Sequence, residues 1–328
     1  MSKVYVVLGV DSAVGAAVAF YLSKVATVKG VPLGSPRGKG EVDPPPGVAV
    51  HRCAPHDVGS MEHILRGCDG CFVFTLSDFR NDPSSFMVTE VEYGRTIATA
   101  SNKARVPHVI YCTEPHTGDI QGIGARHMIA KAETEQCFRV ADVPLTLITL
   151  PRRYEDTLDY MAPEKVGRDF VFELPMDTEI PLNMISVLDL GPIIEKIFND
   201  RAKFTDKRGN RGPISLCGSK VSRQTFAQCF SYNINALKFF DKPVTHAAYR
   251  QASHTHPWKE DYANMFLFLM RTRWDHMYSD KITRELNPDT RYFEEWVQAN
   301  AHGLYTVFTE VKPEDRLRWW FNQIYKMK

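Results

Sequence analysis

A glycine-spaced turn near the N-terminus has the pattern of a phosphate-binding loop, Gly9-Val10-Asp11-Ser12-Ala13-Val14-Gly15. In a dinucleotide-binding loop the first glycine permits a tight turn, and the last lets a helix pack closely on a strand. The middle position, normally a glycine that lets the backbone approach a pyrophosphate, holds Ser12. Asp11 would compete with phosphate for the amides at the helix N-terminus. The simpler interpretation is that Asp11 or Ser12 caps the helix.

The residues that follow the second strand bear on which dinucleotide would bind. NAD-binding domains commonly place an acid about 20 residues after the loop, where it holds the ribose hydroxyls. Here Lys29 stands near the end of the second strand, and Arg37 and Lys39 follow in the next loop. These cations favour NADP(H), which carries an extra phosphate. The alternative is that they are solvated loop charges.

His127 and Lys131 form a second pair that could take part in a reaction. They are four residues apart in a predicted helix and therefore face the same side. A histidine there could donate a proton near neutral pH. Alternatively, His127 lies on the surface or in a cleft, and Lys131 contacts cofactor or solvent. The chain contains no Tyr-x-x-x-Lys, the spacing in which a lysine lowers the pKa of a tyrosine.

Two further groups could bind a metal ion or undergo redox chemistry: Cys68 with Cys71, and His254 with His256. No second cysteine pair exists, and the first runs into a predicted buried strand, so we expect structural thiols. The two histidines lack an evident third ligand. The sequence therefore predicts no metal site.

Alternating strands and helices must position these residues. Strands are predicted at residues 4–8, 48–53, 71–76, 108–112 and 145–150, and helices at residues 13–25, 60–66, 86–103 and 125–140. The stretch 30–47, rich in proline and glycine, is predicted to be a long loop. This order, with apolar strands, predicts an α/β fold, a Rossmann-type doubly wound and mostly parallel sheet.

The pattern changes after Pro151, which predicts a smaller α+β C-terminal lobe with strands near 170–172 and 214–216. We therefore expect a Rossmann NAD(P)-binding-like domain at 1–152, a lobe completing the cleft at 153–312, and a helical tail at 313–328. Leu317, Trp320, Phe321 and Ile324 have helical spacing in the tail. Docking on the parent fold is the favoured interpretation, and a partner-binding or dimer helix is the alternative.

Composition narrows the class of protein. The 328 residues include 40 Lys plus Arg and 39 Asp plus Glu, a net charge of +1, so no strong field favours nucleic acid or membrane. No apolar run reaches membrane length. The seven cysteines are scattered and no signal-peptide pattern is present, so we expect reduced thiols in the cytoplasm or nucleus.

Several segments together resemble the NmrA-like proteins, atypical members of the short-chain dehydrogenase/reductase superfamily, and within it the branch of animal redox sensors. Besides the glycine turn, the likeness is carried collinearly over about residues 3–302 by the segments 126–131, 142–146, 150–156, 179–182, 185–192, 263–266 and 286–296. In the family's helix, as in 126–131, a histidine precedes a lysine by four residues. The tail after residue 312 extends beyond the likeness.

The resemblance implies a Rossmann domain and a small lobe with a cleft between them, and NADP(H) as the cofactor. It implies cofactor contacts from Gly9, Asp11, Ser12, Ala13, Val14, Gly15, Arg37, Lys39, Thr75, Lys131, Tyr154 and Glu155. Departures from the family pattern fall at this site, at Val10, Asp11 and Ser12, at Leu33 or Gly34, at Cys53-Ala54 and at Asp156. They predict that NADP(H) binding is weak or lost.

Two functions are consistent with this resemblance. Several members are redox-dependent regulators, and the animal redox sensors change association state and protein partners with cofactor level, between cytoplasm and nucleus. We therefore expect a non-catalytic NADP(H) sensor or a degenerate relative. Such a protein would act through protein partners, with a homodimer as one form. The alternative is an NADPH-dependent reductase of a small carbonyl or alkene, because related enzymes use a lone lysine as acid–base, here Lys131, with His127 the second catalytic candidate.

Overall fold

The computed structural model describes residues 2–34, 42–54, 56–76, 85–177, 180–206, 212–251, 258–272 and 277–326. The strands in chain order are β1 (Val4–Leu8), β2 (Thr27–Val31), β3 (Ala49–Val50), β4 (Gly70–Val73), β5 (Val109–Thr113), β6 (Leu145–Thr149), β7 (Arg152–Arg153), β8 (Glu164–Val166), β9 (Asp169–Phe172), β10 (Leu182–Ile185), β11 (Ile214–Ser215), β12 (Ser219–Val221) and β13 (Phe239–Asp241).

The helices in chain order are α1 (Ala13–Leu22), α2 (Val58–Leu65), α3 (Ser85–Lys103), α4 (Thr117–Gln121), α5 (Arg126–Val140), α6 (Leu190–Asn199), α7 (Arg201–Phe204), α8 (Arg223–Asn233), α9 (His246–Gln251), α10 (Lys259–Thr272), α11 (Asp280–Leu286), α12 (Phe293–Ala299), α13 (Ala301–Thr309) and α14 (Arg316–Ile324). Short 3₁₀ turns cover Tyr154–Leu158, Val187–Asp189 and Pro313–Asp315.

The central sheet has seven strands in the order β11-β6-β5-β4-β1-β2-β3, and every neighbouring pair is parallel. The chain builds outward from β1 through β2 and β3, then crosses to β4 and builds the other half. Ligands of such sheets bind outside the carboxyl ends of the strands, where the direction of winding reverses. That point lies here between β1 and β4. The Rossmann-type fold expected from the sequence is confirmed.

Hydrophobic side chains cover both faces of this sheet, as the uniformly apolar strands predicted. One face packs Val6, Leu8 and Tyr111 against helices α2, α3 and α5. The other packs Val7 and Phe72 in a larger core. That core extends from α1 into the C-terminal half of the chain. The boundaries that we placed at residues 152 and 312 stay a prediction.

Two strands differ from their sequence-based expectations. The strand predicted at 48–53 is only Ala49–Val50, an exposed edge strand that pairs with Lys29 and Gly30 of β2. The strand predicted near 214–216 for the small lobe was wrongly placed, because Ile214–Ser215 pairs with Ile148 and Thr149 and extends the central sheet. Pairing with a distant strand supplies hydrogen bonds that local sequence does not specify.

Two small three-stranded sheets, β12-β10-β7 and β13-β9-β8, belong to the C-terminal half. The tail docks as the favoured interpretation predicted, since Leu317, Trp320, Phe321 and Ile324 of α14 are all buried. The Trp320 ring lies 5.7 Å from that of Trp296. Within the described ranges, no helix is both long and apolar enough to span a bilayer.

Candidate functional site

The glycine turn lies at the switch point and is closely packed. Gly9 has φ +86°, and a Cβ there would lie 2.1 Å from the carbonyl oxygen of Phe74, at the end of β4. A Cβ at Gly15 would lie 2.1 Å from the Gly9 carbonyl oxygen. Real Cβ atoms do not approach so closely, so both positions need glycine. These are the packing roles that the sequence predicted for Gly9 and Gly15.

Ser12 is the N-cap of α1. Its Oγ accepts the Gly15 amide at 2.9 Å and donates to the Gly9 carbonyl at 2.6 Å. An N-cap hydroxyl satisfies a helix amide that has no intrahelical partner. The capping interpretation is therefore confirmed for Ser12, and its hydroxyl takes a first-turn amide that phosphate would otherwise use.

The Asp11 side chain binds the loop after β2 and not the N-terminus of α1, where the sequence predicted it. Its two carboxylate oxygens accept the amides of Leu33 at 3.0 Å and Gly34 at 2.8 Å. The expectation that this carboxylate competes for the amides of α1 was wrong, because it turns instead to the loop that leaves β2. Those amides follow the last paired residue of β2 and have no strand partner. The carboxylate thus binds the segment that follows β2, where NAD-binding domains commonly carry their ribose-binding acid.

The outer side of the turn is covered by Val42. Its amide donates to the Asp11 carbonyl at 2.9 Å. Val42 is 3% exposed and belongs to the same core as Val10 and Val14. Residues 9–15 are all buried. The turn is therefore inside the protein rather than on the floor of an open cleft.

Lys131 lies in a buried network and not at a free surface. Its Nζ donates to the Thr75 carbonyl at 2.5 Å, to Glu90 Oε1 at 2.8 Å and, more weakly, to Thr75 Oγ1 at 3.4 Å. Thr75 Oγ1 donates to the same carboxylate at 2.6 Å, and the Tyr111 hydroxyl donates to the Lys131 carbonyl at 3.0 Å. An ammonium group has three donors. All of them have protein acceptors here.

His127 lies one turn before Lys131 and is also buried, with 7% of its surface exposed. Its ring centroid is 5.5 Å from that of Tyr262, on α10. The structure therefore does not place His127 on an exposed helix surface. The histidine packs in the contact between α5 and the C-terminal half.

The remaining predicted site residues have internal partners or lie outside the described residues. The Tyr154 hydroxyl donates to Ser219 Oγ at 2.9 Å and lies 3.0 Å from the Arg291 carbonyl. Glu155 accepts the Ser186 hydroxyl at 2.7 Å and the Val187 amide at 3.0 Å, and burial raises its pKa to about 7. Both side chains are buried, which indicates a packing role. Arg37 and Lys39 lie outside the described residues.

The thiol pair is buried and reduced, as expected for structural cysteines. Burial raises the pKa of Cys68 to about 11, and that of Cys71 well above its ordinary value. A thiolate is therefore disfavoured at both positions. His254 and His256 lie outside the described residues, among which no three potential ligands are arranged to hold a metal ion.

Sequence reasoning missed Glu90, the ion-pair partner of Lys131. A signal was present, because Phe86, Glu90 and Gly94 recur at intervals of four on the buried face of α3. An acid on an apolar helix face needs a buried partner. The identity of that partner, 41 residues further on, depends on how α3 packs against α5.

Whether this arrangement can hold a dinucleotide follows from these contacts. The amides of Ala13 and Val14 in the first turn of α1 have no hydrogen-bond partner among the described residues, which leaves part of an anion cradle. The rest is taken: Ser12 caps the helix, Asp11 holds the amides after β2, and Val42 covers the turn. The described residues, as arranged here, do not fit a bound dinucleotide at this turn.

Comparison with known proteins agrees with the fold. NmrA, a negative transcriptional regulator, superimposes with a TM-score of 0.72 at 18% identity, over 94% of this chain and 98% of NmrA. Its complex with NADP gives a TM-score of 0.71 at 17% identity, over 94% and 98% of the two chains. The NADPH-dependent quinone oxidoreductase QOR2 of Escherichia coli gives 0.67 at 14% identity, over 90% and 99%. Regulators and reductases therefore share this fold.

A sequence relative also matches, an NmrA-like family domain-containing protein of Dictyostelium discoideum, 23% identical over 155 residues. The match covers 44% of this chain and about half of that relative, 49% of its length. The NmrA-like family profile matches residues 41–302, which is most of the chain. This protein belongs to the NmrA-like family.

Proposed function

We propose that this protein is a non-catalytic regulator that acts through contacts with other proteins, and that its nucleotide site is degenerate. One observation carries the proposal: every donor of Lys131 is used by Thr75 and Glu90 inside the protein. A lysine acid–base must reach the substrate within hydrogen-bond distance. Lys131, the lysine at the position expected for this role, is bonded to groups inside the protein instead.

The site around Lys131 supports the same conclusion. The tyrosine of Tyr-x-x-x-Lys is absent from the sequence, and His127 replaces it on α5. Asp11 and Val42 occupy the surroundings of the glycine turn. NmrA, which has the same fold, is described as a negative transcriptional regulator. We extend that regulatory role to this chain, with protein partners or a second copy in the cytoplasm or nucleus as its targets.

The test is a search for hydride transfer. Purified protein is incubated with NADPH or NADH and a panel of quinones, enals and triphenylmethane dyes, and absorbance at the nicotinamide band is followed. We expect oxidation no faster than in buffer. The same preparation after heat denaturation serves as the blank. Acceptor-dependent oxidation by the folded protein would establish the reductase alternative and refute the proposal.

Titration calorimetry gives the second test. Because the turn is closed, we expect no saturable heat with NADPH or NADH at micromolar concentration. Binding that reaches micromolar affinity without any hydride transfer would point to a nucleotide sensor instead of a degenerate relative. The regulatory part of the proposal would then stand and the degenerate site would not.

A further inference from the structure

An open pocket lies beside α5, on the side of that helix away from α3. It reaches the carboxyl ends of β5, β6 and β11 and has a volume of about 590 Å³. Ala132 and Gln136 line it from α5. Lys131, on the adjoining face of the same helix, bonds instead to Glu90 on α3. The pocket is separate from the candidate cofactor site, because none of the described residues predicted to contact the cofactor lines it.

The charged groups at this pocket are of one sign. Four carboxylates line it together with one histidine: Glu114, Asp119, Glu133, Glu135 and His116. No lysine or arginine is among the described residues that line it. The whole chain carries a net charge of +1, so this concentration of carboxylates is a local feature and does not follow from composition.

Two of these carboxylates, Asp119 and Glu133, stand at the mouth of the pocket without a cationic partner. Their side chains are 82% and 47% exposed, and no described lysine or arginine lies within ion-pair distance of either. His116 contacts both: its Nδ1 accepts the Asp119 amide at 3.1 Å, and its Nε2 lies 4.0 Å from Glu133 Oε1. A ring nitrogen that accepts an amide carries no proton, so this imidazole does not offset the two negative charges.

A third carboxylate, Glu114, is buried at the wall of the pocket and is only half satisfied. Its side chain is 10% exposed, and its Oε1 accepts from Arg152 at 2.6 Å. Its Oε2 is buried and has no hydrogen-bond partner among the described residues. A buried acceptor without a donor is costly, and such groups are few in native proteins. A donor that enters from the pocket would satisfy this oxygen.

We infer that this pocket binds an arginine side chain from an extended segment of a protein partner. A guanidinium group is planar, stacks on aromatic rings and carries its donors in a fork that matches carboxylates. Stacked on the His116 ring, it presents N–H groups to Asp119 and Glu133, which flank that ring. Ile120, which lines the pocket and is 47% exposed, offers an apolar surface to the methylene stem.

The inference rests on the proposed function, because it names the chemistry of the partner that a regulator without catalysis would bind. Partly exposed carboxylates without cations attract a basic segment, and the fork geometry then selects arginine over lysine. The site is thus defined by two separable properties, its charge and its shape, and each can be changed alone.

The experiment uses the full chain and fluorescein-labelled hexapeptides that each carry one arginine among alanine and leucine residues. Citrulline in place of arginine removes the charge and keeps the shape, whereas lysine keeps the charge and removes the fork. Fluorescence anisotropy measures binding to the wild type and to Asp119→Asn combined with Glu133→Gln. Glu294→Gln combined with Glu310→Gln is the matched control, because it removes two charges from exposed positions outside the pocket.

We expect the arginine peptides to bind the wild type and the control alike, and the pocket variant about tenfold more weakly, with unchanged thermal unfolding. Equal affinity for the pocket and control variants, or no binding of any arginine peptide, overturns the inference. Citrulline or lysine peptides that bind as tightly as arginine peptides overturn the assignment to a guanidinium group. None of these results bears on hydride transfer, so the proposed function is judged by its own assay.

Discussion

Among single residues, the most consequential contact is the ion pair of Lys131 with Glu90, because it engages the lysine at the position of the candidate acid–base. Their side chains are 9% and 1% exposed. Removing one partner of a buried pair leaves an uncompensated charge, whereas replacing both is often tolerated. The contribution of the pair to stability can therefore be measured separately from any effect on activity.

We predict that Lys131→Met destabilises the protein by about 3–5 kcal/mol, because Glu90 is left charged and buried. The double variant Lys131→Met with Glu90→Gln should recover a large part of that loss. Urea unfolding measures both. The control is Lys196→Met, which breaks an exposed pair with Asp200 and should cost at most about 1 kcal/mol. Equal costs for Lys131→Met and Lys196→Met would contradict the prediction.

The glycine turn gives a second prediction at this scale. Asp11→Gly with Ser12→Gly frees the amides of Leu33, Gly34 and Gly15. We expect NADPH affinity to rise, at a stability cost of about 1–3 kcal/mol from the lost hydrogen bonds. Calorimetry and thermal unfolding measure the two effects. Unchanged affinity in a folded double variant would show that these side chains are not what excludes the nucleotide.

Glu155 makes stability depend on pH. Burial raises its pKa from 4.5 to about 7, so the folded state binds its proton more tightly than the unfolded state does. This contribution is fully present below about pH 4.5 and is lost as the pH rises through about 7. Between pH 5 and 8, urea unfolding should show the wild type losing up to about 3 kcal/mol relative to Glu155→Gln. Parallel curves for the two proteins would exclude this role.

At the scale of elements, β1, α1 and the end of β4 are held together by the absence of side chains at Gly9 and Gly15. A methyl group at Gly15 meets the Gly9 carbonyl, which is backbone and cannot rotate away. The contact therefore fixes how α1 leaves the sheet, whether or not a nucleotide binds.

We predict that Gly15→Ala destabilises the protein by about 3 kcal/mol, because α1 must shift to relieve the contact. Gly124→Ala is the control, since its nearest heavy atom would be 4.0 Å from the new Cβ. Thermal unfolding of both variants gives the comparison. A Gly15→Ala protein as stable as the control would mean that the turn tolerates a side chain.

At the scale of the whole molecule, the C-terminal half completes the core of the central sheet. The cluster that contains Val7 and Val14 also contains Trp296, Phe308 and Trp320. A shared core predicts that the two halves unfold together. The tail after residue 312 is part of that core although it lies beyond the family match, which ends at residue 302.

We predict that Trp320→Ala costs about 3–5 kcal/mol and that unfolding stays a single transition. Trp319→Ala, at a partly buried position beside it, should cost less. Calorimetric unfolding of both proteins distinguishes the cases. A separate low-temperature transition in Trp320→Ala would show instead that the C-terminal half is an independent unit.

The amino-acid sequence was enough to predict the alternation of strands and helices, the parallel sheet, the need for Gly9 and Gly15, and the apolar face of the tail. These features depend on local periodicity and on short-range spacing, which the chain carries wherever it folds. The family resemblance added the position of the expected cofactor site, but it did not predict which side chains fill that site.

Which side chains surround the glycine turn and Lys131 depends on long-range packing. Asp11 reaches amides 22 residues away, Lys131 pairs with an acid 41 residues earlier, and Asp43 meets a tyrosine 282 residues on. Partners at such distances are chosen by packing, because a buried polar group must find a partner among whatever the fold brings close. For that reason the glycine turn could be predicted from the sequence, whereas the side-chain contacts around it could not.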